Sequence, residues 1–381
     1  MIQSEILRPP LSLDSVRGDW ERLYRGSGRE PSVSFEWSRA ILQNHLAGRD
    51  DWFIVVLRQA GQVVGIVPMM TSRERMLGRS VVTLQPIQEK YNTHSDLLLA
   101  DGSPALVGAW LDAIGGRRAE WDLLQMSRVL EHGALAAALS SELARRRAGH
   151  RWRLERPSFH LPLPATYPAY LAQRSGKLRN YLKRAEKKLA GEGSVEFSRV
   201  QPGDPFAAAY DDLLAVERDS WKHDHGTAIS AIAHQEGFYR DLSEAALASG
   251  MLHLTFLRLA GVPIAYNLGL VAGPCYFYLK TSYRQQYRAH GAATIGRARL
   301  VDALITEGCT ALDFPGEPYE WEQQWTDDVR WHHSLLLFNS TLAGRALGLI
   351  VSARDALRPR KEERRIVFVD ARALRAEEAA P

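Results

Sequence analysis

The chain has 381 residues, of which 45% are hydrophobic and 24% charged, and it carries a formal net charge of +4. This length exceeds the usual size of one hydrophobic core, and the apolar fraction excludes a disordered chain, so we expect two folded domains. The N-terminal residues lack a basic and apolar leader, and no run approaches the roughly 20 apolar residues that span a bilayer, which predicts a cytoplasmic protein.

Helical and strand patterns alternate through the first half of the chain. Apolar spacing predicts helices over residues 13–24 and 34–46, and a β-hairpin over residues 52–70 with its turn at Ala60-Gly61. Further strands are predicted over residues 81–84, 96–99 and 121–126, and further helices over residues 103–114 and up to residue 147. These elements predict a first domain over residues 1–156.

Four prolines punctuate the middle of the chain, at positions 157, 162, 164 and 168. Because proline fixes φ and lacks an N–H donor, this cluster predicts an extended connector over residues 157–168, and a second domain over residues 169–340. Residues 341–381 are interpreted as a basic amphipathic helix followed by a loosely held tail. Such a helix leaves peripheral contact with the inner membrane open.

The second half repeats the plan of the first half. A helix is predicted over residues 175–190, and a three-stranded antiparallel meander within residues 251–283. Further helices are predicted over residues 207–221, 234–248 and 292–307, and further strands over residues 195–200, 310–314 and 333–338. Both halves therefore predict an α/β fold in which a mixed, mostly antiparallel sheet is flanked by helices.

The most informative stretch is Arg288-Ala289-His290-Gly291-Ala292-Ala293, which follows a predicted strand and opens a predicted helix. The first N–H groups of a helix have no partner within the helix and lie at the positive end of its dipole. Small residues leave this end open, so the stretch predicts a phosphate site, to which Arg288 and His290 add donors. Because it follows an antiparallel meander, neither a Rossmann nor a Walker interpretation fits.

This spacing resembles the acyl-CoA pyrophosphate motif (Arg/Gln-x-x-Gly-x-Gly/Ala) of GNAT N-acyltransferases. Five further segments resemble, in order, landmarks of the CelD/BcsL-like acetyltransferases of cellulose and exopolysaccharide biosynthesis: residues 176–184, 219–222, 238–239, 261–266 and 312–319. The first half matches loosely, and its tandem arrangement with the second resembles that of Fem-like transferases. Relatives tend to have Ser-Pro where this chain has Ala289-His290, and Lys where it has Glu320, so the acceptor pocket is expected to differ.

The resemblance implies two tandem GNAT-like domains and an acyl-CoA-dependent N-acyltransferase. The acyl group would pass from the CoA thioester to a small amine, such as a sugar, lipid or amino acid derivative, by direct attack in a ternary complex. No metal is expected, and the first domain is not expected to bind CoA. The expected acyl-CoA-binding residues are Arg288, His290, Gly291, Ala292, Ala293 and Lys280.

Catalytic candidates lie on the strands around this motif, because the amine must lose a proton and the leaving thiolate must gain one. Asp313, at the end of a strand, and Glu317, in the loop after it, are the leading candidates, followed by His253 and Tyr278. Period-2 alternation predicts one shared strand face for four polar side chains: Tyr276, Tyr278, Lys280 and Ser282.

Acceptor-binding candidates come from both halves. Trp221 and Lys222 begin a polar and aromatic cluster after a helix, which favours a loop that faces the substrate over a metal site. Tyr91, Asn92 and His94 form a similar loop in the first half, and Tyr319 lies among the landmarks listed above. The two cysteines, Cys275 and Cys309, lie in apolar segments, which favours reduced thiols.

Three other functions stay open at the level of sequence. The chain could N-acylate a long-chain amino alcohol, as bacterial ceramide synthases of similar GNAT type do. It could be a Fem-like aminoacyl-tRNA-dependent transferase, although a solvated helix face explains the cations of residues 174–188 without nucleic acid. It could also be an inactive scaffold of polysaccharide assembly, an interpretation that the intact Arg-x-x-Gly-x-Ala spacing disfavours.

Overall fold

The structure of the chain is a computed structural model that describes residues 1–9, 13–25, 30–76, 78–88, 93–357 and 364–369. In chain order, the strands are β1 (Ile2–Leu7), β2 (Trp52–Gln59), β3 (Gln62–Met76), β4 (Arg79–Pro86), β5 (Leu98–Leu99), β6 (Leu123–Leu130), β7 (His150–Leu154), β8 (Ser158–Pro162), β9 (Val195–Arg199), β10 (Leu252–Leu259), β11 (Val262–Ala272), β12 (Cys275–Tyr283), β13 (Ala311–Phe314), β14 (Val329–Arg330) and β15 (His332–Phe338). The helices are α1 (Asp14–Tyr24), α2 (Phe35–Asn44), α3 (Pro104–Gly115), α4 (Ala134–Arg145), α5 (Tyr167–Gln173), α6 (Gly176–Ala190), α7 (Phe206–Arg218), α8 (Trp221–Asp224), α9 (Gln235–Ala248), α10 (Ala292–Thr306) and α11 (Leu342–Leu357).

The chain forms two compact units, each with its own sheet. The first unit holds most of residues 1–157 together with the described part of Arg330–Ile366, and the second is built mainly from Ser158–Val329. Helices flank a mixed sheet in both units, so the predicted fold class is confirmed. The division along the chain differs from the sequence-based domains, because the segment after residue 329 returns to the first unit.

The sheet of the first unit has the strand order β1-β2-β3-β4-β6-β15-β7, and β5 pairs with β3. Strands β4 and β6 are parallel, whereas β15 is antiparallel to both of its neighbours. Leu335 and Leu337 of β15 join the apolar core that includes Trp110 of α3 and Leu139 of α4. The intervening residues of β15, Leu336 and Phe338, join a second apolar cluster on the other face. Strand β15 is therefore a central strand with both faces covered.

The helix predicted after residue 341 is present as α11. Leu347 and Val351 attach it to the apolar cluster that contains Leu336 and Phe338. Its other face exposes large apolar side chains, among them Leu342 and Leu349. Within the described part of the chain, we find no helix with the length and apolar character required to cross a membrane.

The sheet of the second unit has the strand order β14-β8-β13-β12-β11-β10-β9. The predicted meander is confirmed, since β10, β11 and β12 pair antiparallel through tight turns. Strand β8 occupies the first residues of the predicted proline connector and pairs antiparallel with β13. A proline at the end of a strand is tolerated, because the ladder there needs no further donor, and Pro162 holds that position.

Strand β12 contains a β-bulge that overturns one expectation. Its pairing with β11 shifts between Leu268 and Gly269, so that Tyr278 faces Gly269 and Lys280 faces Leu268. The extra residue, Leu279, reverses the alternation of the side chains that follow it. Tyr278 and Lys280 consequently point to opposite faces of the sheet, and the prediction of one shared face for Tyr276, Tyr278, Lys280 and Ser282 is wrong.

Candidate functional site

The parallel strands β12 and β13 separate after a short contact, and a cavity opens where they part. Only Cys275–Phe277 of β12 pair with Ala311–Asp313 of β13 among the described residues. Beyond this point, a cavity of about 380 Å³ lies between β12 from Tyr278 onward and the segment that follows β13. Both strands, the start of α10 and the α8 region line it.

The start of α10 lies at one end of this cavity. Gly291 precedes the helix with φ of +71°, a left-handed conformation that side chains other than glycine's rarely adopt. A Cβ atom there would lie 2.9 Å from the Tyr181 hydroxyl and 3.0 Å from the Ala185 Cβ on α6. Ala293 and Thr294, in the first turn, line the cavity. The predicted opening of the helix by small residues is present, and its free N–H groups can receive an anion.

The predicted cations of the motif lie in the short helical turn before Gly291, outside the lining of the cavity. Arg288 is exposed there. The ring of His290 lies 3.3 Å from a Glu192 carboxylate oxygen. On the neighbouring helix, Lys188 Nζ donates a hydrogen bond to the carbonyl oxygen of Ala289 at 3.1 Å.

Tyr278 stands at the point where the two strands separate. Its hydroxyl donates a hydrogen bond of 2.6 Å to Asn267 Oδ1 and accepts one of 3.3 Å from Arg297 Nε. Asn267 in turn donates to Thr255 Oγ1 at 3.4 Å. The hydroxyl is thereby held in a fixed direction, between a donor from α10 and an acceptor from β11.

A buried ionic network occupies the opposite face of β12. Glu217 of α7 is 1% exposed and accepts hydrogen bonds from the Tyr266 hydroxyl at 2.7 Å and from Lys222 Nζ at 3.3 Å. Burial acts to raise the pKa of this carboxyl, but Lys222 and Lys280, together with the hydrogen bonds from the Tyr266 hydroxyl and the Ile229 N–H, outweigh it and keep the pKa below its usual value. Lys222 and Lys280 also line the cavity, whereas Glu217 lies outside its lining. Glu217 therefore offsets the charge of these two cations from a position outside the cavity.

The three predicted proton-transfer residues other than Tyr278 lie outside the cavity lining. His253 is fully buried, with Nε2 at 3.2 Å from a Glu307 carboxylate oxygen, and this contact is the main reason that the pKa of Glu307 is lowered. Asp313 is also fully buried, with one oxygen 3.8 Å from His160 Nδ1. Glu317 is half-buried in the loop after β13.

The lining residues that sequence patterns did not predict include Arg297, Trp321 and Glu322. Glu322 is 4% exposed and accepts a hydrogen bond from the Tyr319 backbone N–H at 3.0 Å. The loop that contains Trp321 and Glu322 has no periodic pattern that could single them out. Arg297 did carry a signal, since it is a cation between Ile295 and Leu300 on a helix whose buried residues are otherwise uncharged.

Of the predicted acceptor residues, Trp221, Lys222 and Tyr319 line the cavity together. His94 lies in the first unit, where its Nδ1 is 2.8 Å from Glu30 and its ring stacks on that of His332. The other two, Tyr91 and Asn92, lie outside the residues that the structure describes.

Cys275 and Cys309 form no disulfide within the described part of the chain. Cys309 is buried, and this burial raises the pKa of its thiol. A raised pKa disfavours the thiolate, which is the nucleophilic form. Cys309 is therefore a packed residue of the second unit.

Replacing Glu217 by Gln should destabilise the protein by about 3–5 kcal/mol near pH 7, because two lysines lose a buried partner. The folded-state pKa of Glu217 is lowered, so its stabilising effect is present above the pKa of the unfolded chain and disappears as the pH falls through the folded value. Urea unfolding at pH 7 and pH 3.5 measures the free energy of unfolding, and the difference in this free energy between wild type and Glu217→Gln should be smaller at pH 3.5. Glu244→Gln, at an exposed position of α9, is the control and should have little effect at either pH. A difference in unfolding free energy between wild type and Glu217→Gln that does not change with pH would contradict the lowered pKa.

Comparison with known proteins gives one family match and several similar folds. Residues 176–323 match the family described as "Acetyltransferase (GNAT) domain". The crystal structure of FemX aligns with a TM-score of 0.61 at 10% identity, over 91% of this chain and 99% of that one. A conserved protein of unknown function from Bacteroides thetaiotaomicron VPI-5482 aligns with a TM-score of 0.59 at 12% identity, over 87% of this chain and all of its own (100%). No curated protein sequence matches the chain.

At these identities the two structural similarities show the fold alone, and they cover both units of the chain. The family match is more specific, because it spans α6, α10 and the strands that surround the cavity. The part of the chain that is similar to the GNAT acetyltransferase family is therefore the part that holds the cavity.

Proposed function

We propose that the chain is an acyl-CoA-dependent N-acyltransferase that passes an acyl group from the CoA thioester to an amine in a ternary complex. The observation that carries this proposal is the continuity of the cavity, which runs from the first turn of α10 to the point where β12 and β13 separate. A diphosphate fits the free N–H groups at Ala292–Thr294, since they carry the positive end of the helix dipole.

The rest of the acyl-CoA would follow the open edge of β12. Among the described strands, β12 has no partner on the β13 side beyond Phe277. The backbone donors and acceptors of residues 279–283 that point away from β11 are therefore available to the amide groups of the CoA arm. This path would bring the thioester to the level of Tyr278, whose hydroxyl is the proposed proton donor to the leaving thiolate.

The amine would enter from the side lined by Trp221, Lys222 and Tyr319. Holding the amine and the thioester in attack geometry supplies much of the rate in such a mechanism. We assign the removal of the amine proton to Glu322, because it is the one carboxylate among the described residues that line the cavity. Asp313 in β13 and Glu317 in the loop after it are retained as alternatives. The subtype that we propose is the CelD/BcsL-like one, on the landmarks between residues 176 and 319.

Replacing Ala293 by Glu should weaken CoA binding more than 10-fold, because the added charge would face the diphosphate and cancel the helix dipole. Ala293→Gln has nearly the same size without the charge and is the matched control. Calorimetry with CoA measures both. Equal affinity in wild type and Ala293→Glu would contradict the phosphate site, and equal losses in both variants would assign the effect to size. Gly291 is a poorer position for this test, since any side chain there is strained and meets Tyr181.

Replacing Glu322 by Gln should lower kcat by about 10²-fold or more and leave CoA affinity unchanged, as expected for a general base. The measurement is CoA release in the presence of a panel of amines. Glu317→Gln and Asp313→Asn serve as comparisons. If Glu322→Gln keeps normal turnover while one of the comparisons loses it, the base is that residue.

One observation favours a lipid amine as the acceptor. Leu342, Leu349 and Leu357 of α11 are 89%, 73% and 82% exposed and share one helix face by the 3.6-residue repeat. Arg345 and Arg354 are exposed on the two sides of this face. The one acidic residue of α11, Asp355, is bound to Arg153 at 3.2 Å. An exposed apolar face bordered by arginines is the arrangement of a helix that lies in a membrane interface.

Replacing Leu349 by Glu should reduce binding to vesicles of phosphatidylglycerol and phosphatidylcholine about 10-fold, because it removes apolar burial and opposes the anionic surface. Co-sedimentation measures the bound fraction. Val262→Glu is the control, since Val262 is another exposed apolar residue, at 47%, in the second unit. Absence of vesicle binding by the wild type would remove the support for a lipid acceptor.

A further inference from the structure

Arg297 is the cavity cation for which the described residues supply no acidic partner. It lies in the second turn of α10, is 5% exposed and lines the cavity. The described residues place no carboxylate oxygen within ion-pair distance of it, and its hydrogen bond is the one from Nε to the Tyr278 hydroxyl. The two terminal nitrogens of the guanidinium, with four N–H donors, are left for a ligand.

The other two cations of the cavity are partnered. Lys222 forms an ion pair with Glu217 at 3.3 Å. Lys280 is 3.5 Å from Gln235 Oε1 and lies over the Tyr239 ring. A buried charge without a counter-charge is costly, and Glu217 is the counter-charge of both lysines, whereas no described residue is the counter-charge of Arg297.

The guanidinium of Arg297 is held by aromatic stacking. Its Cζ lies 3.7 Å from the centroid of the Trp321 ring and 5.4 Å from that of Trp325. Stacking stabilises the cation and fixes the plane of the guanidinium group, whose forked N–H donors lie at the edge of that plane and are not used by the stacking. The fork is thus pre-oriented, and a planar anion can be bound through two parallel hydrogen bonds.

The position of Arg297 distinguishes its ligand from the diphosphate of CoA. Arg297 is five residues into α10, about 7 Å along the helix axis from its start. It contacts Tyr278, at the level where β12 and β13 separate. In the proposed function, the reacting thioester and the amine lie at this level of the cavity.

We infer that Arg297 binds a carboxylate of the substrate, so that either the transferred acyl group or the amine acceptor carries a carboxylate close to the reacting carbon. This inference rests on the proposed function. The two sources share one chemistry: a dicarboxylic acid joined to CoA through one end, or an amino acid. A carboxylate is favoured over a phosphate because the fork is planar and an aromatic ring covers one side of it.

The test compares matched ligand pairs on the full chain. Calorimetry measures succinyl-CoA against butyryl-CoA, which has an acyl chain of the same length without the charge. Steady-state kinetics measure amino acids against their amides as acceptors. We expect a preference of about 10-fold or more for the carboxylate in one of the two arms, as for a hydrogen-bonded charged pair.

Two variants assign the preference to the fork. Arg297→Met keeps an apolar stem over Trp321 and should abolish the carboxylate preference, while CoA alone binds as in the wild type. Arg297→Lys keeps the charge without the fork and should retain part of the preference. No preference in either arm, or a preference that survives Arg297→Met, would overturn the inference. An equal loss of kcat for all acyl donors and acceptors would also overturn it, in favour of a role for Arg297 at the thioester oxygen.

A separate titration distinguishes failure of this inference from failure of the proposed function. Free succinate should change the tryptophan fluorescence of the wild type, because Trp321 stacks on Arg297, whereas the neutral diamide succinamide should not. Arg297→Met and Trp321→Phe should each remove the response. If CoA does not bind but this response is present, the acyl-CoA proposal fails and the carboxylate site stands. If CoA binds and the response and both preferences are missing, the carboxylate site fails alone.

Discussion

The separation of β12 and β13 is the constraint on which the candidate site depends. The two strands are parallel, so the chain cannot join them by a tight turn and must cross over, which it does through α10. A crossover helix begins at the end of the strand that precedes it, so the free N–H groups of α10 lie at the end of β12 where pairing has already stopped. One topological requirement thereby brings an anion-binding helix end and an open strand edge to the same cavity.

The bulge at Leu279 gives the two faces of β12 different roles. Before it, Tyr278 joins Asn267 and Arg297 in a hydrogen-bonded network below α10. After it, Lys280 joins the ionic network around Glu217 on the other face. Without the extra residue, Tyr278 and Lys280 would share a face, and a second cation would lie on the side of the sheet where Arg297 already contacts the Tyr278 hydroxyl. The bulge therefore places Lys280 on the face of Glu217 and leaves Arg297 as the cation beside Tyr278.

Sequence patterns predicted the parts of this unit that depend on local periodicity. The apolar stripe of α6, the hairpin turns of the meander and the small residues at the start of α10 each follow from spacing alone. Spacing alone does not predict which strands will be neighbours in a sheet. Strand β15 is predicted as a buried strand in either sheet, because four of its residues, Leu335–Phe338, are apolar without interruption. Arg297 and Glu322 come to line the same cavity only through tertiary structure, since their positions in α10 and in a loop carry no shared period.

The place of β15 in the first sheet has a consequence for the order in which the chain can fold during synthesis. The ribosome releases β6 and β7 early, then all of residues 158–329, and only then the strand that pairs with both. The second unit is nearly continuous in sequence and can form its sheet while the first still lacks a central strand. Until residue 338 emerges, β6 and β7 present open edges of the kind that attract other strands. Completion of the first unit is therefore expected to be a late, long-range event in folding.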